Sequence, residues 1–433
     1  MGNCVTWLSG DVMHKPQRVV ISGMGIVSTF GHDKESFWRA VAQGESAVTP
    51  WQPDGANDYP VQYAATVDFD ALTRRFSSIL NRAPLLERRG YFGLLAAHQA
   101  YKDAGLTSSM RIGCATCSGV PEIHESEMLA LDVAGEFPEA LSHHQPTEHS
   151  GLSVSNDSMV AVVAESLSMR GPVMNINGAC AGAAQAIGVA YKAIQRGEVD
   201  VMLAGGADSV MNTRVMSGLF MLGATATSSP RKEKLCCPFD RARSGLVAGE
   251  GGAFLVLESE TSALRRGATI YAEVKGYGSS LDAYKVTAPH PEGKGAKQAM
   301  RAALCDAQVE ARDIDYVNAH GTSTPLNDVV ETEAVKDVFA ALSPNYPAVS
   351  STKSMIGHWI SAAAAPEAIA TVMGIYHQLV PPTINLVEPD AKCDLDYVAD
   401  VARAQRVRYA MSNSFGFGGI NACLVFGEYD HAA

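Results

Sequence analysis

The chain has 433 residues, of which 47% are hydrophobic and 18% are charged. At roughly 100–200 residues per domain, this length predicts two or three domains or one large duplicated α/β body, and the composition excludes general disorder. With 46 acidic and 34 basic residues the net charge is −12, which argues against a general nucleic-acid binder or a protein of the membrane surface.

The cysteines and the start of the chain indicate a cellular compartment. Nine cysteines are too few and too scattered for a disulfide scaffold, and their odd number leaves at least one thiol unpaired. Free thiols are typical of a reducing cytoplasm, which is where we expect the protein. No apolar run approaches the ~18 residues of a transmembrane helix, and residues 1–17 are predicted to be a loose leader without the pattern of a secretion signal.

Strands and helices alternate along the whole chain. The first part is predicted to contain strand 18–27, helices 36–43 and 91–104, strands 111–116 and 172–177, an alanine-rich helix ending near 197, and strand 199–204. The second part is predicted to contain strands 253–258 and 270–276, helix 296–307, strand 314–319, helix 328–341, strand 348–351, helix 366–378, and strands 408–413 and 421–426. The strand–helix–strand order over 172–204 predicts a βαβ crossover with parallel strands. Because no low-complexity linker separates the two parts, we expect them to pack as one body.

Cys180 is the first candidate for chemistry, at the point where a strand turns into a helix. Its neighbours Gly178, Ala179, Ala181 and Gly182 are small, so a sharp turn is allowed and a substrate can approach the sulfur. The N–H groups of a helix N-terminus favour the thiolate over the thiol. The alternative is a buried cysteine that fills a small gap in the core, and the local context does not decide between the two.

Two histidines also follow predicted strands directly. His320 opens the hydroxyl-rich segment 321–325, and His358 comes shortly after strand 348–351. A lone histidine is more often a structural group, but ligands gather beyond the carboxyl ends of parallel strands, so Cys180 and both histidines are expected in one crevice. Such a group suits acyl transfer, in which a thiolate attacks a thioester and imidazoles donate hydrogen bonds to developing oxyanions.

The segment 413–419 alternates aromatic residues and glycines. It is predicted to form a mobile loop whose backbone N–H groups face an apolar substrate. The alternative is a glycine-rich bend that joins the last two strands.

Four of these segments together resemble the active-site motifs of the β-ketoacyl-acyl carrier protein synthases. They are NGACAGA (177–183), VNAHGTSTP (317–325), STKSMIGH (351–358) and NSFGFGG (413–419). Weaker matches follow in PFDRARSG (238–245), VPPTINL (380–386) and CDLDYV (393–398). The likeness runs in one order from about residue 18 to 426. It is closest to the type II condensing enzyme of fatty acid synthesis and to its type II polyketide relatives.

The resemblance implies a thiolase-like fold, α/β, with two similar halves in αβαβα layers. The first half, 18–268, would carry the nucleophile, and the second half, 269–433, the two histidines. Cys180 would accept an acyl chain from acyl carrier protein. His320 and His358 would assist decarboxylation of malonyl-carrier protein and stabilise the resulting enolate, giving a decarboxylative Claisen condensation.

Further roles follow from the same resemblance. The backbone N–H groups of Cys180 and Phe417 would form the oxyanion hole. Lys353 and Glu367 would pair and orient the site rather than react. Thr322 and Thr324 would hydrogen-bond the phosphopantetheine arm that carries the substrate. No bound cofactor is implied.

The pocket for the acyl chain is implied by the resemblance but departs from the family pattern. Phe415 and Phe417 would gate its entry, and Val120 would lie near a position that senses chain length. The region 117–156 matches weakly, which leaves the chain length and the choice between fatty acid and specialised polyketide or polyene synthesis open. Pro366 lies in a stretch that is usually glycine-bearing, so a helix is expected to start or kink there.

The partners implied are acyl carrier protein and a second subunit. Carrier proteins are acidic, so this acidic chain needs a local basic docking face, unless its arginines are ordinary solvated charges. The candidates are Arg74, Arg75, Arg88 and Arg89. The subunit would be an identical copy or a chain-length factor, a non-catalytic relative that lacks the nucleophile this chain keeps.

Other classes of protein fit the sequence less well. Thiolases and acetyl-CoA-primed synthases share the fold but use Cys-His-Cys or Cys-His-Asn sets. Cys114 and Cys117 have zinc-ligand spacing, but no second pair completes a site, so no metal is expected. We also expect no nucleic-acid and no membrane partner.

Overall fold

The computed structural model describes residues 16–53, 59–80, 87–119, 156–227 and 232–430. Val120, most of the predicted leader and most of the weakly matching region 117–156 lie outside these residues. No helix in the described part of the chain has both the length and the apolar character needed to cross a membrane.

The described elements follow the predicted alternation. The strands are β1 (Val19–Val27), β2 (Thr49–Pro50), β3 (Tyr63–Ala64), β4 (Ile112–Cys117), β5 (Val173–Ile176), β6 (Val201–Asp208), β7 (Gly251–Ser259), β8 (Ala272–Leu281), β9 (Tyr316–Asn318), β10 (Ala348–Ser350), β11 (Leu379–Val380), β12 (Arg403–Ala404), β13 (Tyr409–Gly416) and β14 (Ile420–Gly427). The helices are α1 (Lys34–Gln43), α2 (Phe69–Arg75), α3 (Ser77–Leu80), α4 (Arg88–Asp103), α5 (Ser158–Ser166), α6 (Gly182–Gln195), α7 (Thr213–Met221), α8 (Glu260–Arg265), α9 (Lys294–Ala307), α10 (Asn327–Val338), α11 (Lys353–Ile356) and α12 (Ala364–His377).

The large sheet is internally duplicated. Its strand order is β10-β9-β13-β14-β8-β1-β7-β6-β4-β5, and β1 and β8 pair antiparallel at its centre. From the centre outwards, one half contributes β1, β7, β6, β4 and β5, and the other contributes β8, β14, β13, β9 and β10. When the strands of each half are numbered in chain order, both series run first, fifth, fourth, second, third. In each half the outer three strands are parallel and the inner pairs are antiparallel. The crossover predicted over 172–204 does join parallel strands, but β4 lies between β5 and β6.

Helices and half-sheets alternate in five layers, as expected for the predicted αβαβα architecture. Helices α6 and α12 contact strands of both halves, whereas α4 packs mainly on strands of the first half and α9 mainly on strands of the second. Three main hydrophobic clusters fill the spaces, one between the half-sheets and one under each outer helix. A helix between two sheets must be apolar all round, and α12 is buried from Ala364 to Ile375.

Pro366 lies in the first turn of α12, whose first residue is Ala364. The N–H that proline lacks has no partner inside the helix at this position. The expected helix start is therefore close to the observed one, and it places Glu367 in the same first turn.

Candidate active site

Cys180 lies between β5 and α6, in the short turn Ala179–Ala181. Ala179 has φ +44°, a left-handed conformation that costs a residue with a side chain ~1–2 kcal/mol. Gly416 packs against this turn, and a Cβ there would lie 3.0 Å from the Cys180 nitrogen. Cys180 is only 7% exposed, yet it lines a cavity. Its position in the wall of a cavity is that of a residue that can react with a substrate, and not that of a residue that only fills space in the core.

The resting protonation state of Cys180 differs from the sequence-based expectation. Burial raises the pKa of the thiol to about 11, although the charge of Lys353 and backbone hydrogen bonds from Phe417 and from Cys180 itself oppose the rise. The helix start was expected to favour the thiolate, but desolvation is the larger cause and shifts the pKa in the opposite direction.

His320 is held by its backbone at the end of β9. The N–H groups of His320 and Gly321 each donate to the buried carboxylate of Glu331, both at 2.8 Å. The Lys353 ammonium donates to the His320 carbonyl oxygen at 2.6 Å and lies 3.3 Å from its Nδ1. Burial, with Lys353 and His358 adding to it, lowers the pKa of His320 well below its usual value.

His358 follows α11 and is pinned to the first half of the chain. Its N–H donates to the Val247 carbonyl at 2.8 Å, and its own carbonyl accepts from the Gly249 N–H at 2.9 Å. The ring nitrogen Nδ1 accepts from the Ile360 N–H at 3.0 Å. Burial, together with the charge of Lys353, lowers the pKa of His358 well below its usual value.

The two imidazoles therefore have the same tautomer. Each Nδ1 faces a donor, so the proton of each neutral ring is on Nε2. The ring centroids of His320 and His358 are 5.5 Å apart and the planes are nearly perpendicular. The site holds two neutral N–H donors side by side.

Lys353 and Glu367 form a buried ion pair behind His320. Burial raises the pKa of Glu367 to about 7, and the neighbouring Lys353 opposes the rise. Lys353 thus contacts Glu367 and His320 together, and neither member of the pair lines the cavity. The pair is therefore positioned to hold His320 and not to contact a substrate in the cavity.

One cavity of about 300 Å³ contains most of the predicted site. The predicted residues that line it are Cys180, His320, Thr322, Thr324, His358, Phe415 and Phe417. Thr322 and Thr324 share a hydrogen bond of 2.9 Å between their hydroxyls. The sequence-based expectation that the cysteine and both histidines meet in one crevice is confirmed.

Two of the predicted docking arginines are engaged inside the protein. Arg89 is 3% exposed and pairs with Glu87. Arg88 binds the buried carboxylate of Glu250. An acidic partner needs exposed cations, so the docking prediction is wrong for Arg89, and the Arg88 guanidinium is already occupied. Arg74 and Arg75 are exposed at the end of α2.

Two buried carboxylates were missed by the sequence reasoning. Glu331 holds the His320 loop, and Asp208, at the end of β6, accepts two hydrogen bonds from Ser361. The signal for Glu331 was available, since Asp328 and Glu331 lie one turn apart on the face of α10 that also carries Val335. A charged residue on an apolar helix face is usually buried with a partner.

Two family models together match most of the chain. The N-terminal domain model of the β-ketoacyl synthases matches residues 16–263, and the C-terminal domain model matches residues 271–387. The chain belongs to the β-ketoacyl synthase family. The prediction of a condensing enzyme of this family, an acyltransferase, is confirmed.

Individual relatives cover nearly the full chain. The 3-oxoacyl-acyl-carrier-protein synthase 2 of Staphylococcus aureus (strain COL) is 37% identical over 96% of this chain and 100% of its own length. Among solved structures, a type II polyketide ketosynthase in complex with its acyl-carrier protein (AntDE:AntF) is 31% identical, with a TM-score of 0.85. The ishigamide ketosynthase/chain length factor is 35% identical, with a TM-score of 0.83. Both structural matches cover 96% of this chain and 100% of the other. The thiolase-like fold class is confirmed.

Proposed function

We propose that the protein joins an acyl chain on Cys180 to malonyl-carrier protein by decarboxylative Claisen condensation. The observation that carries this proposal is one cavity lined by Cys180, His320 and His358, in which Nδ1 of each histidine lies beside a hydrogen-bond donor. A condensation through a carbanion needs a nucleophile for the acyl chain and donors for enolate charge, and this site supplies both.

In the first half-reaction the Cys180 sulfur attacks the thioester carbon of acyl-carrier protein. A bond forms between sulfur and carbon, and the carrier's thiol leaves with the proton that Cys180 gives up. The negative charge that develops on the carbonyl oxygen is stabilised by the backbone N–H groups of Cys180 and Phe417. Their hydrogen bonds to the sulfur in the free protein support this role.

In the second half-reaction malonyl-carrier protein loses carbon dioxide, and the electron pair of the broken bond forms an enolate. The Nε2–H groups of His320 and His358 donate hydrogen bonds to the enolate oxygen. The enolate carbon then attacks the acyl thioester, and the Cys180 sulfur leaves as a thiolate that takes up a proton from solvent. No strong base is required, because decarboxylation itself generates the carbanion.

The remaining residues position the substrates. Thr322 and Thr324 line the cavity beside the histidines, where their hydroxyls would bind the phosphopantetheine arm. Phe415 and Phe417 line the same cavity and would gate the acyl chain. Val120, which lies outside the described residues, is still expected near a position that senses chain length.

The partners we propose are acyl carrier protein and a second thiolase-like subunit. Among the described strands, β5 lies at an edge of the large sheet, and Val173 in it is 43% exposed. An open edge with an exposed apolar residue favours pairing with another chain. Whether that chain is a second copy or a chain-length factor is tested by light scattering of the purified protein, alone and after co-expression with such a factor.

The function is tested by intact-mass analysis with a panel of acyl-carrier proteins, followed by malonyl-carrier protein. We expect an acyl adduct on the wild type and on Cys305→Ala, which removes an exposed cysteine, and no adduct on Cys180→Ala. Addition of malonyl-carrier protein should discharge the adduct and yield a β-ketoacyl product. An adduct on Cys180→Ala, or an adduct that malonyl-carrier protein does not discharge, contradicts the proposal.

A further inference from the structure

A second buried carboxylate lies behind the active site and is linked to His358. Asp208 is fully buried at the end of β6. Its Oδ2 accepts from the Ser361 N–H at 3.0 Å and from the Ser361 hydroxyl at 2.7 Å. The two residues are 153 positions apart in the chain, so this contact joins the first half of the protein to the turn that follows His358.

The turn that Asp208 holds is strained. It comprises Ile360–Ala362, and Ile360 has φ +44°. A β-branched residue in the left-handed region is a true outlier that costs of the order of 1–3 kcal/mol and persists only where the surroundings enforce it. The N–H of Ile360 is the group that donates to Nδ1 of His358 at 3.0 Å.

Ser361 is fixed at three of its polar groups. Besides the two bonds to Asp208, its carbonyl oxygen accepts from the Cys117 thiol at 3.1 Å. The Asp208 carboxylate is itself enclosed: the Ser209 N–H donates to Oδ1 at 2.9 Å, and a Cβ on Gly119 would collide with the carboxylate. The residue next to the strained one therefore has little freedom to move.

Arg89 provides the nearby positive charge. Burial raises the pKa of Asp208, while hydrogen bonds from Ser361 and the charge of Arg89 oppose the rise. The Arg89 guanidinium donates to the Gly119 carbonyl at 2.6 Å. This arginine thus supports the inside of the site rather than a docking face.

We infer that Asp208 is a positioning residue for His358. By anchoring Ser361 it holds Ile360 in the conformation that aims its N–H at Nδ1, which keeps the His358 proton on Nε2, the nitrogen that donates to the enolate. The inference rests on the proposed role of His358. It predicts that the Asp208–Ser361 contact affects the decarboxylation step more than the loading of Cys180. Because the Asp208 charge also raises the pKa of the Cys180 thiol, Ser361→Ala, which keeps that charge, is the deciding variant for loading.

The test compares Ser361→Ala and Asp208→Asn with a matched control, Ser262→Ala. Ser262 is also a buried serine whose hydroxyl donates to a buried carboxylate, that of Glu258, at 2.8 Å, but it contacts no part of the active site. Three quantities are measured: acylation of Cys180 by intact mass, the rate of malonyl decarboxylation, and the His358 tautomer from two-bond ¹H–¹⁵N correlations of histidine-labelled protein. His358→Gln assigns the resonance.

We expect decarboxylation to fall about 10–100-fold in Ser361→Ala and Asp208→Asn, as for a catalytic group displaced by up to about 1 Å. In Ser361→Ala acylation should stay within about twofold of the wild type, and in both variants the Nδ1 shift of His358 should lose its hydrogen-bonded value. Ser262→Ala should change none of the three. If Asp208→Asn does not fold, Ser361→Ala alone decides.

Two results would overturn the inference. One is an unchanged Nδ1 shift of His358 in the variants, whatever their activity. The other is an equal loss of acylation and decarboxylation, which indicates general damage. Failure of the proposed function gives a different result from failure of this inference. If the proposed role of His358 is wrong, His358→Ala will decarboxylate malonyl-carrier protein normally. The tautomer measurement still reports on Asp208 in that case.

Discussion

Lys353 Nζ donates to the carbonyl oxygen of His320 at 2.6 Å and lies 3.3 Å from Nδ1 of the same residue. One ammonium group therefore fixes both the backbone and the ring of this histidine. The same ammonium forms the buried ion pair with Glu367, so removal of either member leaves an uncompensated charge at the centre of the protein.

Lys353→Met and Glu367→Gln should each lower the free energy of unfolding by about 3–5 kcal/mol, because a buried charge loses its partner. The double variant should recover most of that stability, since no lone charge remains. Condensation should stay low in the double variant, because the ring of His320 is no longer held. Urea unfolding and product assays measure the two effects. Additive losses of stability in the double variant would contradict the coupling.

Replacing either histidine by alanine should separate the two half-reactions. His320→Ala and His358→Ala should slow condensation about 10²–10³-fold, which is typical for loss of one oxyanion donor. Acylation of Cys180 should persist, because its oxyanion is stabilised by backbone N–H groups. Intact mass and product formation are measured on the same samples. His377→Ala, on the last turn of α12 and outside the cavity, is the control. Normal product formation by either active-site variant would refute the assignment.

The meeting of Cys180, His320 and His358 was predicted because each residue comes shortly after a strand. The reason is only partly right, since β5 belongs to one half of the sheet and β9 and β10 to the other. The three residues meet through the packing of the two halves and not along one parallel sheet. Local patterns also located most helices and strands. The docking prediction is contradicted only for the buried Arg89, because two adjacent arginines on a helix look alike in sequence. Arg89 is buried only because the face of α4 it lies on packs inward.

The protonation state of the site was harder to predict from the sequence. A helix start predicts a thiolate at Cys180, but the desolvation that reverses this depends on elements far away in the chain. Asp208 was missed for a related reason. Nothing near it in sequence marks it as functional, and its role arises from a contact with Ser361, which the second half of the chain contributes.

Carrier docking should depend on the exposed arginines at the end of α2. Arg74→Glu/Arg75→Glu should raise the apparent KM for acyl-carrier protein and leave small thioester substrates unaffected, since only the protein partner presents an acidic surface. Arg312→Glu is the control, as an exposed arginine near the start of β9. Equal effects on both kinds of substrate would show that these arginines do not form the docking surface. Because Arg89 is buried, Arg89→Glu should instead lower stability and affect both substrates.

Alkylation of Cys180 tests its resting state. Only the thiolate reacts, and burial disfavours the charged form, so the reactive fraction falls as the pH drops below the pKa of about 11. The rate of labelling by iodoacetamide at Cys180 should therefore rise about tenfold per pH unit between roughly pH 7 and 10, whereas an ordinary thiol levels off above its pKa near 8.5. Peptide mapping isolates the Cys180 signal, Cys180→Ala provides the blank, and circular dichroism confirms folding across the range. A plateau near neutral pH would mean that the N–H groups at the start of α6 and the Lys353 charge outweigh desolvation, and the first half-reaction would then begin from the thiolate.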